Sequence, residues 1–238
     1  MNALTTNTNG QHVVVADDFD PFAEYANSMG GSRIVGSLLK FSKGDYLVGQ
    51  NGDIMQEGTQ LAVNMNELIT GWIKWKDKKP VDTIMGKLFD PETRKSFQPP
   101  KRDALGDLDE TTWEVDKDGN AQDPWQFTNY LLMKVPGLDD QDALFTFAAS
   151  GKGSLGAIGK LCDSYSKLRR MRQPGEMPVV KLGVGKYKHD EYGWIKFPTF
   201  TIVGWVKAGE FDAALAEEAA QAKADDAARK AADEDIPF

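Results

Sequence analysis

Closely spaced turn signals divide residues 33–207 into short apolar runs, and only one run has the length and period of a helix. Lys43-Gly44-Asp45, Asn51-Gly52, Asp90-Pro91, Pro99-Pro100, Asp118-Gly119, Pro136-Gly137 and Pro174-Gly175 interrupt stretches rich in β-branched and aromatic residues. Gly, Pro, Asn and Asp are the residues turns select, each for its own backbone reason. Between them, residues 34–41, 46–48, 61–63, 68–75 and 81–88 read as strands, and residues 126–135 and 143–149 as an antiparallel pair across Pro136-Gly137. Trp113-Glu114-Val115 is a short strand, and residues 179–187 and 194–206 close the set around Asp190-Glu191-Tyr192-Gly193. The exception is residues 155–172, where Leu155, Ile158, Leu161, Cys162, Tyr165 and Leu168 share one helical stripe. About ten short strands and one late helix predict a mostly β chain, an antiparallel barrel with additions, over residues 31–208.

The flanks read differently. Residues 1–30 form a loose polar arm, broken by Val13-Val14-Val15 and an acidic Asp17-Asp18 turn. Residues 211–232 hold eleven alanines, with Asp225/Arg229 and Asp226/Lys230 at helix-supporting spacing. Only Phe211 and Leu215 of that stretch could dock on the body. Residues 209–232 are therefore a marginal helix or a linker, ahead of a separate tip at residues 233–238. The single Cys162 excludes an internal disulfide and fits a reducing compartment. No apolar run is long enough to cross a bilayer, and residues 1–11 lack a basic start and apolar centre, so a cytoplasmic protein is expected.

The net charge of −8 argues against a polyanion ligand until it is divided by region. Residues 71–102 carry +5 and residues 143–209 carry +7, while residues 103–142 carry −9. Charges act over about a Debye length, roughly 8 Å, so two basic blocks on an acidic protein can still form a positive groove.

Two strands interleave cations with aromatic rings, the composition that tracks phosphates and stacks on bases. Trp72, Lys74 and Lys76 fall on one strand face, with Ile73 and Trp75 on the other. Further along, Lys181, Lys186, Tyr187 and Lys188 lead to Trp194 and Lys196. The helix adds Lys160, Lys167, Arg169, Arg170 and Arg172, more charge at its end than dipole compensation requires. Gly151-Lys152-Gly153-Ser154-Leu155-Gly156 matches G-x-G-x-x-G between a strand and the helix, but no parallel strand with an acidic end follows. A Walker A reading fails because Thr146 stands where the first Gly belongs. The loop reads better as a phosphate clamp, with charge from Lys152 and N–H groups from Gly151 and Gly153. His12 and His189 are the only histidines and lie far apart, so no histidine metal site or catalytic triad is expected. Asp107, Asp109 and Glu110 are the one acidic set that could collect Mg²⁺. No metal, cofactor or catalytic residue is assigned.

The chain stops on Asp233-Glu234-Asp235-Ile236-Pro237-Phe238. Phe238 presents a ring and the α-carboxylate at one point, Pro237 fixes a torsion, and Ile236 fills a second shallow pocket of a partner. The segment resembles the acidic tip of bacterial single-stranded DNA-binding proteins, commonly Asp-Asp-Asp-Ile-Pro-Phe, with Glu234 in place of Asp. In that family the tip recruits replication, recombination and repair proteins. The resemblance covers only the tip, and the family's Gly-, Pro- and Gln-rich linkers differ from the alanine-rich stretch here. It implies a non-catalytic protein binding single-stranded DNA, in a bacterial cell or phage-infected host, with an oligonucleotide-binding (OB)-like barrel as its body. The alternatives are an adaptor or recombination mediator that uses the tip without holding DNA, and a nuclease using the 107–110 acids. Homo-oligomerisation stays open.

Overall fold

The computed structural model describes residues 34–91, 93–116, 119–190, 193–221 and 224. The expected arm at residues 1–30 and the tip at residues 233–238 lie outside the described residues.

Strands β1 (Ser37–Ser42), β2 (Asp45–Val48) and β3 (Asp53–Met55) form a meander. Its first turn needs positive φ at both Lys43 (55°) and Gly44 (102°), the mirror-image geometry that matches strand twist. β4 (Gln60–Val63), β5 (Ile69–Lys76) and β6 (Lys79–Lys87) follow, then a two-stranded ribbon of β7 (Glu114–Val115) and β8 (Ala121–Gln122). β9 (Trp125–Lys134) and β10 (Leu144–Ala149) pair as the sequence predicts. Helix α1 (Lys152–Leu168) carries the expected stripe, and β11 (Glu176–His189) and β12 (Gly193–Lys207) make a long hairpin. Helix α2 covers 212–221.

The main sheet has the order β12-β11-β4-β9-β10-β1-β2-β3. β3 and β4 are five places apart in it, about 24 Å if the sheet were flat. Yet only residues 56–59 join them, and such a link reaches at most about 18 Å. The sheet must curl, and the link itself shows how. Gly58 N donates to Leu182 O at 2.8 Å and Leu182 N to Thr59 O at 2.9 Å, so the link runs along β11. The Tyr46 hydroxyl crosses the same gap, reaching Gly183 O at 2.8 Å and Thr199 O at 3.3 Å. Burial pushes that phenol far above its ordinary pKa, so it stays a neutral donor.

Two features differ from the antiparallel closed barrel expected of the strand count. β1 runs parallel to β10, making the sheet mixed, and the ladder ends at β12 and β3 without closing. The reason is topological: β1 takes the free edge of β10, and β12 is left at the end of the order.

β9 uses one edge twice. Its end pairs with Ala62 and Val63 of β4, and its start with residues 69–74 of β5. Residues 64–68, with a 3-10 turn at Met65–Glu67, bow out opposite Leu131 and Leu132 alone. The sheet therefore forks, one branch leading to β11 and the other to β6.

Strand alternation builds two apolar layers. Leu61, Val63, Leu131, Met133, Phe147 and Leu182 point into the curl, where Tyr46 and the α1 residues Ile158 and Leu161 fill the interior. Ala62, Leu132, Leu144 and Val179 point outward and are covered by Phe211, Ala214 and Leu215. Phe211, in a 3-10 turn at Ala208–Phe211, is fully buried. The body thus runs on past the composition boundary at residue 209.

A buried lysine with two accessible carboxylate partners ties down this cover. Lys134, with no exposed side-chain surface, sits 3.1 Å from Glu210 and 3.3 Å from Asp139. Glu210 also accepts from Gly137 N at 2.6 Å. The Gly137 N–H, and after it the Lys134 ammonium, hold the Glu210 carboxyl below its usual range. A carboxyl with a depressed folded pKa stabilises above its unfolded value, about 4.3, and loses that contribution as pH falls through the folded value. Between pH 5 and pH 3 the parent's melting temperature should therefore fall further than that of Glu210→Gln. Parallel declines would remove Glu210 from the acid response. No helix among the described residues is long and apolar enough to cross a membrane.

Candidate nucleic-acid interface

α1 begins at Lys152 with Gly151 as its N-cap, no side chain capping it and no acid in its first turn. The positive end of its dipole is uncompensated there. The helix lies against β12, and at Phe197 two glycines, Gly153 of α1 and Gly185 of β11, come close to the side chain. A Cβ on Gly153 would stand 3.0 Å from the Phe197 Cβ, and one on Gly185 would overlap the Phe197 ring. Phe197 therefore packs closely against both glycines, the close approach a strand glycine often marks.

Beside this contact lies a hollow of about 300 Å³, lined by Lys152 and Lys160 of α1, by Tyr187 of β11, and by Phe197 and Phe200 of β12. Lys160 Nζ stands 5.6 Å over the Phe197 ring, and Tyr187 lies 6.0 Å from it at 46°. At the other end of α1, Tyr165 stacks on Trp205 at 6.0 Å and 28°. Arg172 sits 5.0 Å over Trp205 and Arg169 5.7 Å from Tyr165. Cation–ring contacts thus stand towards both ends of the α1–β12 seam, on a helix about 26 Å long. Among the described residues, none of Lys152, Lys160, Arg169, Arg170 and Arg172 is in an ion pair.

The other expected residues divide. In the β11–β12 register, Lys186 opposes Lys196 and Lys188 opposes Trp194, which puts these four on one face. Tyr187 opposes Ile195 and lies on the other face with Phe197, and Lys181 shares that parity. Lys186 Nζ is 5.2 Å over Trp194, which is 64% exposed, whereas the Lys196 stem lies where a Cβ on Gly44 would be. Lys167 is tied to Asp163 at 2.6 Å, one helical turn away.

The β5 set is not a free platform. The Trp72 indole donates to Pro100 O at 2.8 Å and stands edge-on to Phe127. Lys74 pairs with Asp107 at 2.8 Å, while Lys76 stays exposed at the hairpin end. Residues 100–107 fold back over β5, fixed by Arg102, which grips both oxygens of Asp123 at 2.7 and 2.8 Å. Asp107 also accepts from Trp125 Nε1, and Lys74 then Trp125 hold its carboxyl below the ordinary range. Asp109 caps a 3-10 turn at Glu110–Thr112 through Thr111 N and Oγ1. Both carboxylates serve local structure, and no group of three metal-ligating side chains occurs among the described residues.

Phe197 and Trp205, and the stacking role of Tyr165, escape a reading by sequence. Tyr165 reads as a core position on the helical stripe, and Phe197 as one more alternating apolar residue. The available signal was Gly185 inside a strand, where glycine marks close approach. Comparison of the chain with family models, curated proteins and solved structures found no match.

Proposed function

We propose that this chain is a non-catalytic single-stranded DNA-binding protein of replication or recombination, laying the strand along the α1–β12 seam. The observation that carries the reading is the pairing of Lys160 with Phe197, Arg169 with Tyr165 and Arg172 with Trp205. Basic charge tracks phosphates without regard to sequence, and flat rings accept any base. The curled run of β4, β9, β10, β11 and β12, with α1 between β10 and β11, supports an OB-like core, a partly open barrel to which β1–β3 are additions.

The test is a fluorescence-anisotropy titration of labelled oligo-dT with the full chain at several salt concentrations. Tight binding at low salt that fades as salt rises is expected; no binding at low salt would leave the adaptor reading in its place. The tip at residues 233–238 is proposed to recruit replication and repair proteins by ring and carboxylate capture. Deleting it should spare or tighten oligo-dT binding while abolishing that recruitment. Loss of DNA binding on deletion would overturn this division of labour.

A further inference from the structure

Resting on the single-stranded DNA reading, we propose that the hollow between α1 and β12 takes one unstacked base, with the adjoining phosphates on Lys152 and Lys160. Three observations converge on that occupant. The floor is aromatic and apolar, from Phe197 and Phe200, with the half-exposed Tyr187 at its side, so a flat face is favoured. Two ammonium groups line the same hollow and no acid does among the described residues, so an anion is favoured and a cation repelled. At about 300 Å³ it lies at the small end of ligand pockets, room for one ring system and not for a stack. A nucleotide unit joins a flat ring to an anion at this scale. Gly153 and Gly185 leave the room that the Phe197 ring takes beside the hollow.

Gly156 lines the hollow, and a Cβ there meets nothing within 4 Å. Gly156→Leu fills the space while leaving every ring and charge in place, and leucine is the better helix former. Gly159, also on α1 and also open to 4 Å, does not line the hollow, so Gly159→Leu is the matched control. In full-chain oligo-dT titrations, Gly156→Leu should weaken binding about 5–150-fold, the range for one stacked base, with the salt slope unchanged. Gly159→Leu should bind like the parent. Parent-like binding by Gly156→Leu, or equal losses in both variants, overturns the base site and leaves the seam standing. A parent chain that does not bind oligo-dT overturns the seam and the base site together.

Discussion

Phe211→Ala should destabilise the protein by about 3–5 kcal/mol, the usual cost of emptying a buried aromatic site. Phe211 is fully buried on the outward layer of Ala62, Leu132, Leu144 and Val179, so little can collapse into the space without pulling α2 off the sheet. The loss would uncover that layer and expose Lys134, now shielded by the same segment. Denaturant unfolding of parent and variant measures the difference. A change below about 1 kcal/mol would mean that residues 208–215 contribute little to the body, and the cover would be dispensable.

Replacing Lys152, Lys160, Arg169 and Arg172 together by Gln should cut the slope of log affinity against log salt by about 3, from about 0.7 per lost single-strand phosphate contact. If binding at 1 M salt is unchanged, affinity at 0.1 M then falls by nearly three orders of magnitude. An equal charge change at the exposed Lys76, Lys78, Lys79 and Lys95 should cost far less, because those side chains belong to the β5–β6 side. Comparable losses from both sets would show that net charge, not the seam, governs binding.

The sequence was informative where structure is local. The helical stripe of α1, the Lys43-Gly44 turn and the β9–β10 pair follow from period and turn chemistry. Phe211 and Leu215 stand out as the docking residues of an alanine-rich stretch because nothing else there is large enough. The parallel partnership of β1 with β10 joins residues more than a hundred positions apart, and no local pattern encodes it. The site divides by the same rule. Lys160 and Tyr187 were legible as cation and ring in basic stretches, and they do share the hollow. Trp72 and Lys74 carried the same signature, but residues 100–107 fold over them, with Pro100 O on the Trp72 indole and Asp107 on Lys74. The −9 block directly after a +5 block was the hint that the two neutralise each other.

The fork at β9 makes the β5–β6 arm a side branch, fastened through half of one strand and the bow at residues 64–68. Its far turn, Asp77-Lys78, is exposed and has no share in the interior of the curl. A dye or affinity peptide grafted there would report on the molecule from outside both apolar layers and away from the seam. That position is the natural handle for following the protein in solution without disturbing either layer.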